Sequence, residues 1–219
     1  MQEVWPRKVD AERASELLET DPVEAQALIK RLSLGPEDVF VDFGCGLGDM
    51  VFLAARRARK AMGVEPSASR VAEARKRFQG IPNAEIVQAS LLEFRSPRGV
   101  FTRGMATMSL RRLDDALKCE FFRKISEMFQ PGALFLLEDM IFDFDRSELE
   151  ERTDEVLQEA SRHFGFSWDS RKDEFLRVLK EEFPTGFNDW SAALEEGGFL
   201  IQDRWQTCGF YGGLLAKRR

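Results

Sequence analysis

Three glycines and the acids beside them are the residues with the clearest chemical meaning in this sequence. The stretch Val39 to Met50 reads VFVDFGCGLGDM, in which three glycines lie two residues apart between Asp42 and Asp49. Small residues at such a turn let backbone N–H groups approach a ligand closely at the carboxyl end of a sheet. The spacing therefore predicts a turn that binds a nucleotide-like ligand.

The residues around the glycines narrow the class of ligand. A phosphate-binding P-loop needs Lys and Ser or Thr after its last glycine, whereas Asp49 follows Gly48. The dinucleotide pattern G-x-G-x-x-G fails in both registers, because it needs glycine at Asp49 or a glycine or alanine at Val51. Asp49 would also begin the next helix, where its negative charge repels a pyrophosphate. The turn favours a ligand without phosphate.

Two motifs carry a resemblance to a known family. VDFGCGLG, with Asp42, Gly44, Gly46 and Gly48, resembles the first motif of the class I S-adenosylmethionine-dependent methyltransferases, and GVEPS, with Glu65, resembles the second. The likeness runs from about residue 38 to residue 217, includes PGALFLLED and GFYGGLLAKR, and is greater to the small-molecule branch than to the nucleic-acid branch. It implies S-adenosylmethionine as the cofactor and a small molecule as the methyl acceptor.

The resemblance also implies roles for individual residues. Glu65 would accept hydrogen bonds from both ribose hydroxyls, and Asp42 would help to hold the methionine end, whose ammonium and sulfonium favour a nearby anion. Ser90 stands where the family often has an Asp that contacts the adenine amino group, and Leu91 would flank the adenine. The predicted cofactor-binding residues are Asp42, Gly44, Cys45, Gly46, Gly48, Glu65, Pro66, Ser90, Leu91 and Met108.

Two arginines are the predicted substrate-binding residues. In many small-molecule members an apolar residue and then His-His follow the fourth strand, which we predict here at GVFTRGMATMSL, and this chain has Leu110-Arg111-Arg112. A guanidinium beside the methyl-transfer site could clamp a carboxylate or phosphate, which predicts a small anionic acceptor. The alternative is that Arg111 and Arg112 belong to a solvated helix.

The sequence does not assign a catalytic residue. Methyl transfer is an in-line displacement at an activated carbon, so positioning and exclusion of water can supply much of the acceleration, and a base is needed only for a protonated nucleophile. Weak candidates are Asp139 at the end of the fifth predicted strand, PGALFLLEDM, His163 as the sole histidine and Tyr211 as the sole tyrosine. Their respective alternative roles are capping of the next turn, a surface or packing position, and core packing.

Composition limits the other classes of function. The 219 residues carry a net charge of −6, which argues against a nucleic-acid partner, and the single histidine excludes a multi-histidine metal site. No apolar run approaches the roughly 20 residues that cross a membrane, and the first residues show no apolar signal core, so we expect a cytoplasmic protein without a membrane partner. No metal is predicted, and the oligomeric state is left open.

Alternating strand and helix patterns predict the architecture. They indicate a single α/β domain over residues 1–219, with a helical lead-in over 1–34 and a helical insertion or lid over 141–184. The predicted details include a helix from about Asp49 to Arg59 and a capping box formed by Ser147 and Glu150. From the resemblance we expect a three-layer Rossmann-like sheet of seven strands in the order 3-2-1-4-5-7-6, with strand seven antiparallel.

Two other functions stay open from the sequence. A protein of this fold could bind the cofactor without catalysis, because no base is obvious and the residues after strand four depart from the family pattern. A nicotinamide-dependent oxidoreductase is the third candidate, and the failed glycine registers argue against it.

Overall fold

One mixed sheet organises the part of the chain that the structure describes, residues 22–219 of a computed structural model. Its strands are β1 (Val39–Phe43), β2 (Lys60–Glu65), β3 (Ala84–Gln88), β4 (Phe101–Thr107), β5 (Phe129–Phe142), β6 (Thr185–Gly186), β7 (Phe199–Cys208) and β8 (Tyr211–Arg218). The order is β3-β2-β1-β4-β5-β8-β7, and the two residues of β6 pair with the end of β5. With β6 set aside, this is the predicted order. The last strand is antiparallel to β5, so the predicted fold class is confirmed.

Helices cover both faces of the sheet. They are α1 (Pro22–Arg31), α2 (Asp49–Ala55), α3 (Ala68–Arg77), α4 (Asp115–Ser126), α5 (Leu149–Phe164), α6 (Trp168–Glu181) and α7 (Phe187–Glu196). Helices α1, α2 and α3 pack on one face, and α4 and α7 pack on the other. Helices α5 and α6 lie between β5 and β6, in residues 143–184, which we call the lid segment.

The central strands are apolar on both sides because both faces are covered. In β1, Val39, Val41 and Phe43 point into the core with α4 and α7, whereas Phe40 points into the core with α1 to α3. A third apolar cluster joins the far end of β5, including Met140, to the lid segment. Near-continuous apolar runs are typical of parallel strands that are buried on two sides. The carboxyl ends of β1, β2 and β4 consequently meet at one edge, where the candidate site lies.

Several predicted elements have different boundaries in the structure. Helix α2 ends at Ala55 rather than at Arg59, because the N–H groups of Arg59 and Lys60 already bond to the Asp38 carbonyl and start β2. Strand β5 continues to Phe142, so residues 141 and 142 belong to the sheet rather than to the insertion.

The lid segment also differs from the predictions in one detail. The capping box is formed by Asp145 and Glu148, not by Ser147 and Glu150, since Glu148 returns its side chain to the N–H of Asp145. Helix α1 begins at Pro22 within the predicted lead-in, and the rest of that lead-in, residues 1–21, lies outside the described residues. Between residues 22 and 219, no helix is long and apolar enough to span a membrane.

Candidate functional site

The glycine turn connects β1 to α2 at the carboxyl edge of the sheet. Gly44, Gly46 and Gly48 all have positive φ angles, of 82°, 56° and 85°, a region that residues with side chains rarely adopt. A Cβ atom at Gly44 would collide with the side chain of Ser109, and one at Gly48 would lie 2.6 Å from the ring of Phe78. The turn therefore needs glycine for both its backbone path and its close contacts.

Two buried carboxylates lie at this turn. Asp42, near the end of β1, and Glu65, the last residue of β2, are each only 1% exposed. The two oxygens of Glu65 accept hydrogen bonds from the N–H groups of Gly46, at 3.0 Å, and Ser67, at 2.9 Å. Each carboxylate oxygen has a second lone pair, so Glu65 can accept further bonds while it holds the turn in place.

Asp42 differs from Glu65 because one of its oxygens is unsatisfied. Its Oδ1 atom is buried and has no hydrogen-bond partner. Burial, followed by the negative charges of Glu65 and Asp49, raises the pKa of Asp42 to about 8. A cation at this position would satisfy the oxygen and favour the ionised carboxylate. This unsatisfied acceptor thus fits a ligand with a positively charged, hydrogen-bond-donating end, such as the methionine part of S-adenosylmethionine.

Asp49 begins α2, as the sequence predicted. Its carboxylate pairs with Arg77 at 2.6 Å, and both side chains are substantially exposed. Solvent weakens such a pair, so Asp49 still adds negative charge at the helix N-terminus. This arrangement agrees with the argument against a phosphate ligand.

The remaining predicted cofactor-binding residues surround the turn. Cys45 is buried within it, Pro66 is half-buried directly after Glu65, and Met108 follows β4 with a strained φ of 51°. Ser90 and Leu91 follow β3, where the hydroxyl of Ser90 accepts the N–H of Leu92 at 3.3 Å and Leu91 is part of the core. The carboxyl ends of β1 to β4 therefore bring the predicted set to one edge.

The structure corrects the prediction for Arg111. Its guanidinium is fully buried and pairs with Asp139 at 3.1 Å and with Glu182 at 2.7 Å. Burial disfavours the charge, but Glu182 and Asp139 outweigh that effect and raise the pKa of Arg111 above its ordinary value. With two carboxylates already bound, Arg111 is an internal ion-pair residue rather than a clamp for a substrate anion, and it does not lie on a solvated helix.

Arg112 belongs to the same buried group. It is 5% exposed, and its Nε lies 3.7 Å from a Glu182 oxygen. Burial and the charge of Arg111 lower the pKa of Arg112 to about 10, although Glu182 opposes this change. Both arginines lie in a single 3-10 turn, Leu110–Arg112, between β4 and α4.

Asp139 organises that turn. Its Oδ2 accepts the N–H groups of Leu110, at 2.9 Å, and Arg111, at 3.0 Å, while Oδ1 accepts the N–H of Met140 at 2.8 Å. Asp139 is fully buried. These contacts fit the predicted alternative that Asp139 caps the turn. Together with the Arg111 ion pair they occupy both carboxylate oxygens, which argues against a role as a general base.

Glu182 is an important residue that the sequence analysis missed. It follows α6 directly, is fully buried, and lies within ion-pair distance of Arg111, Arg112 and, at 3.6 Å, Arg177. Nothing distinguishes Glu182 from the other acids of the lid segment in the sequence, because its partners are distant in the chain or ordinary helical neighbours. The role of Glu182 as an ion-pair residue of the lid segment can be recognised only from its tertiary contacts.

The backbone beyond Glu182 is held by further cations. Lys118 donates to the carbonyl of Phe183 at 2.7 Å, and Arg146 donates to the carbonyls of Glu182, at 3.1 Å, and Pro184, at 3.2 Å. The N–H of Phe183 donates to the carbonyl of Arg111 at 2.7 Å. The end of α6 is therefore fixed to the turn after β4.

His163 and Tyr211 lie together at the other side of the lid segment. His163 is exposed near the end of α5, and its ring packs edge-on against those of Tyr211, at 5.7 Å, and Phe210, at 5.4 Å. The Tyr211 hydroxyl is buried without a hydrogen-bond partner. Burial raises the pKa of Tyr211 above its ordinary value, so the hydroxyl keeps its proton at neutral pH.

Comparison with protein-family models finds one match to part of the chain. Residues 40–132 match the model described as a methyltransferase domain. This segment contains the glycine turn, both buried acids at its flanks and the turn with Arg111 and Arg112.

A methyltransferase of another organism is similar in sequence to part of the chain. The chain is 29% identical over 104 residues to an uncharacterized methyltransferase of Geobacillus kaustophilus. The aligned region covers 48% of this chain and 47% of that protein. It thus spans about half the length of that relative.

Solved structures share the fold over nearly the whole chain. A geranyl diphosphate C-methyltransferase from Streptomyces coelicolor, solved with Mg²⁺, geranyl diphosphate and S-adenosyl-L-homocysteine, has a TM-score of 0.69 at 15% identity and covers 90% of this chain and 79% of its own. A SAM-dependent methyltransferase from Aquifex aeolicus has a TM-score of 0.64 at 14% identity and covers 97% and 96%. At these identities the likeness establishes the fold.

Proposed function

Because residues 40–132 match a methyltransferase domain model, we propose that this protein is an S-adenosylmethionine-dependent methyltransferase whose acceptor is a small molecule. The observation that carries the proposal is the buried, unpartnered Oδ1 of Asp42 beside the glycine turn. Uncompensated buried carboxylates are costly, and a cationic ligand end removes that cost. A dinucleotide or nucleoside phosphate would add negative charge to the same place.

The proposed roles of the site residues follow from their positions. Glu65 would bind the ribose hydroxyls with the lone pairs that the turn leaves available, and Asp42 would bind the ammonium end. Ser90 and Leu91 would flank the adenine. S-adenosylmethionine would supply a methyl group that its sulfonium activates for transfer.

The chain itself would contribute mainly orientation and exclusion of water. The ion pairs of Arg111 and Glu182 fix the lid segment to the turn after β4. Met108 lies just before that turn, directly after β4. A rigid edge of this kind holds bound reactants in one geometry. That can lower the activation barrier of the displacement substantially. The bonds that Asp139 accepts from three backbone N–H groups and from Arg111 argue against a role as a base, and His163 and Tyr211 stay candidates.

Calorimetric titration with S-adenosylhomocysteine tests the cofactor assignment. We expect one equivalent to bind, and Glu65→Gln to weaken binding by about 10- to 100-fold, because hydrogen bonds to a charged group contribute about 1.5–3 kcal/mol. Glu85→Gln is the matched control, since Glu85 is an exposed residue of β3 that pairs with Lys60. Wild-type protein that binds no S-adenosylhomocysteine, or binding of NADH in its place, would overturn the assignment.

A screen for turnover separates catalysis from binding alone. Production of S-adenosylhomocysteine from S-adenosylmethionine and a broad set of metabolites would establish an enzyme. Tight cofactor binding without turnover on any of them would favour the cofactor-binding protein without catalysis. The cytoplasmic location and the small size of the acceptor stay predictions from the sequence.

A further inference from the structure

The Tyr211 hydroxyl is an unexplained buried polar group at the same edge as Asp42. Among the described residues, apart from atoms in the Arg111, Arg112 and Glu182 ion pairs, the buried side-chain polar atoms without hydrogen bonds are those of Asp42, Trp190 and Tyr211. Nearly all buried polar groups in proteins have a partner, so each of these needs a reason. The proposed cofactor explains Asp42. The Trp190 indole is fully buried in the core, and the Lys118 ammonium above its ring cannot accept its N–H, so that group is closed off from a ligand and stays unpaired. Tyr211 differs from Trp190 because its side chain is only half-buried, so a ligand can reach it.

The position of Tyr211 connects it with the proposed site of methyl transfer. It is the first residue of β8 and lies opposite Met140 of β5, directly after Asp139. Asp139 in turn binds the turn that follows Met108 and β4. Arg111 is close enough to oppose, with its positive charge, the effect of burial on the pKa of Tyr211. Because the phenol stays protonated, it can donate a hydrogen bond to a ligand.

The surroundings of the hydroxyl are aromatic. The Tyr211 ring packs on Phe210, at 4.4 Å between centroids, and on His163. Phe164 and Trp168 of the lid segment pack against the same cluster, as does Met108, and all three are only half-buried. Flat apolar side chains with part of their surface open suit a flat or aromatic ligand body.

We propose that Tyr211 donates a hydrogen bond to the methyl acceptor, and that the acceptor has a flat apolar body carrying a hydrogen-bond-accepting oxygen. This inference rests on the proposed methyltransferase function and specifies its substrate class. It also replaces the predicted anionic group with an uncharged oxygen, because Arg111 is already bound by two carboxylates.

The single tyrosine of the sequence makes a direct test possible. Protein labelled with carbon-13 at the tyrosine Cζ gives one ring signal for Tyr211, which responds to hydrogen bonding of the hydroxyl. The probes are 2-acetylnaphthalene and 2-ethylnaphthalene, which share a flat body and differ in one carbonyl oxygen. They are titrated into protein with and without saturating S-adenosylhomocysteine. We expect the acetyl compound to move the Cζ signal and the ethyl compound to leave it nearly in place.

Binding constants from quenching of tryptophan fluorescence complete the test. The ratio of affinities, acetyl over ethyl, should fall by about two- to tenfold in Tyr211→Phe, the range expected for one neutral hydrogen bond. Phe166→Leu is the control, because Phe166 is fully exposed between α5 and α6, and it should leave the ratio unchanged. An unchanged ratio in Tyr211→Phe, or no binding of either probe, would overturn the proposal.

The failure of this proposal can be told from failure of the cofactor assignment. Calorimetry with S-adenosylhomocysteine on the same wild-type and Tyr211→Phe proteins reports on the cofactor alone, and Tyr211→Phe should bind it normally. Normal cofactor binding with an unchanged probe ratio rejects the role of Tyr211 only.

Discussion

Replacement of Glu182 by glutamine should destabilise the protein far more than an ordinary substitution at a helix end. Glu182 is fully buried beside Arg111, at 2.7 Å, Arg177, at 3.6 Å, and Arg112, at 3.7 Å. Removing one partner of a buried ion pair typically costs about 3–5 kcal/mol, because the other charge is left without compensation. Arg111 keeps Asp139 and Arg177 keeps Glu174, so most of the cost comes from Arg112 and from the lost Arg111 contact.

Denaturant unfolding measures this cost directly. In thermal unfolding, the same loss of about 3–5 kcal/mol corresponds to a Tm lower by about 6–20 °C for a chain of this size. Glu181→Gln is the matched control: Glu181 precedes Glu182, its side chain is 60% exposed, and it pairs with Arg177 at 3.1 Å. An exposed pair of this kind contributes at most about 1 kcal/mol.

Two further measurements identify the mechanism. If the penalty comes from uncompensated charge, Glu182→Gln with Arg112→Met should be less destabilised than Glu182→Gln alone. The three arginines also hold the pKa of Glu182 below its ordinary value despite its burial. A lowered folded-state pKa means that the stabilisation is complete above the unfolded pKa and is lost as the pH falls through the folded one, so the difference between variant and wild type should shrink in acid. A Glu182→Gln variant within 1 kcal/mol of wild type at neutral pH would refute the reasoning.

Three other changes have defined outcomes. Affinity for S-adenosylhomocysteine should rise by up to about tenfold per pH unit from pH 6 to 8, because Asp42, with a pKa of about 8, must lose its proton to bind the ammonium; Asp42→Asn should flatten this calorimetric profile. Gly44→Ala should cost about 1–3 kcal/mol in urea unfolding and weaken cofactor binding, since the new methyl meets Ser109 at a φ of 82°; an unaffected variant would contradict the close contact. Asp139→Asn should lose about 2–4 kcal/mol of unfolding free energy, because an amide nitrogen cannot accept the bonds that one carboxylate oxygen now accepts. A loss below about 0.5 kcal/mol would argue against the capping role.

Local chemistry made much of this protein readable from its sequence. The glycine turn was predictable because positive φ angles and close backbone contacts select glycine wherever they occur. The alternation of apolar strands and amphipathic helices indicated the sheet, since crossover helices bury parallel strands on both faces. The positions of Asp42 and Glu65 followed from the same pattern, because residues that end adjacent parallel strands share one edge.

Tertiary structure alone decided the roles of the charged and aromatic residues around that edge. Arg111 looked like a substrate ligand because its partners, Asp139 and Glu182, are 28 and 71 residues away in the chain (139 − 111 and 182 − 111), and sequence periodicity does not report such pairs. Whether a carboxylate acts as a base, a cap or an ion-pair partner depends on which groups surround it. Likewise, Tyr211 could be recognised as a candidate ligand-binding residue only when its hydroxyl was found buried without a partner.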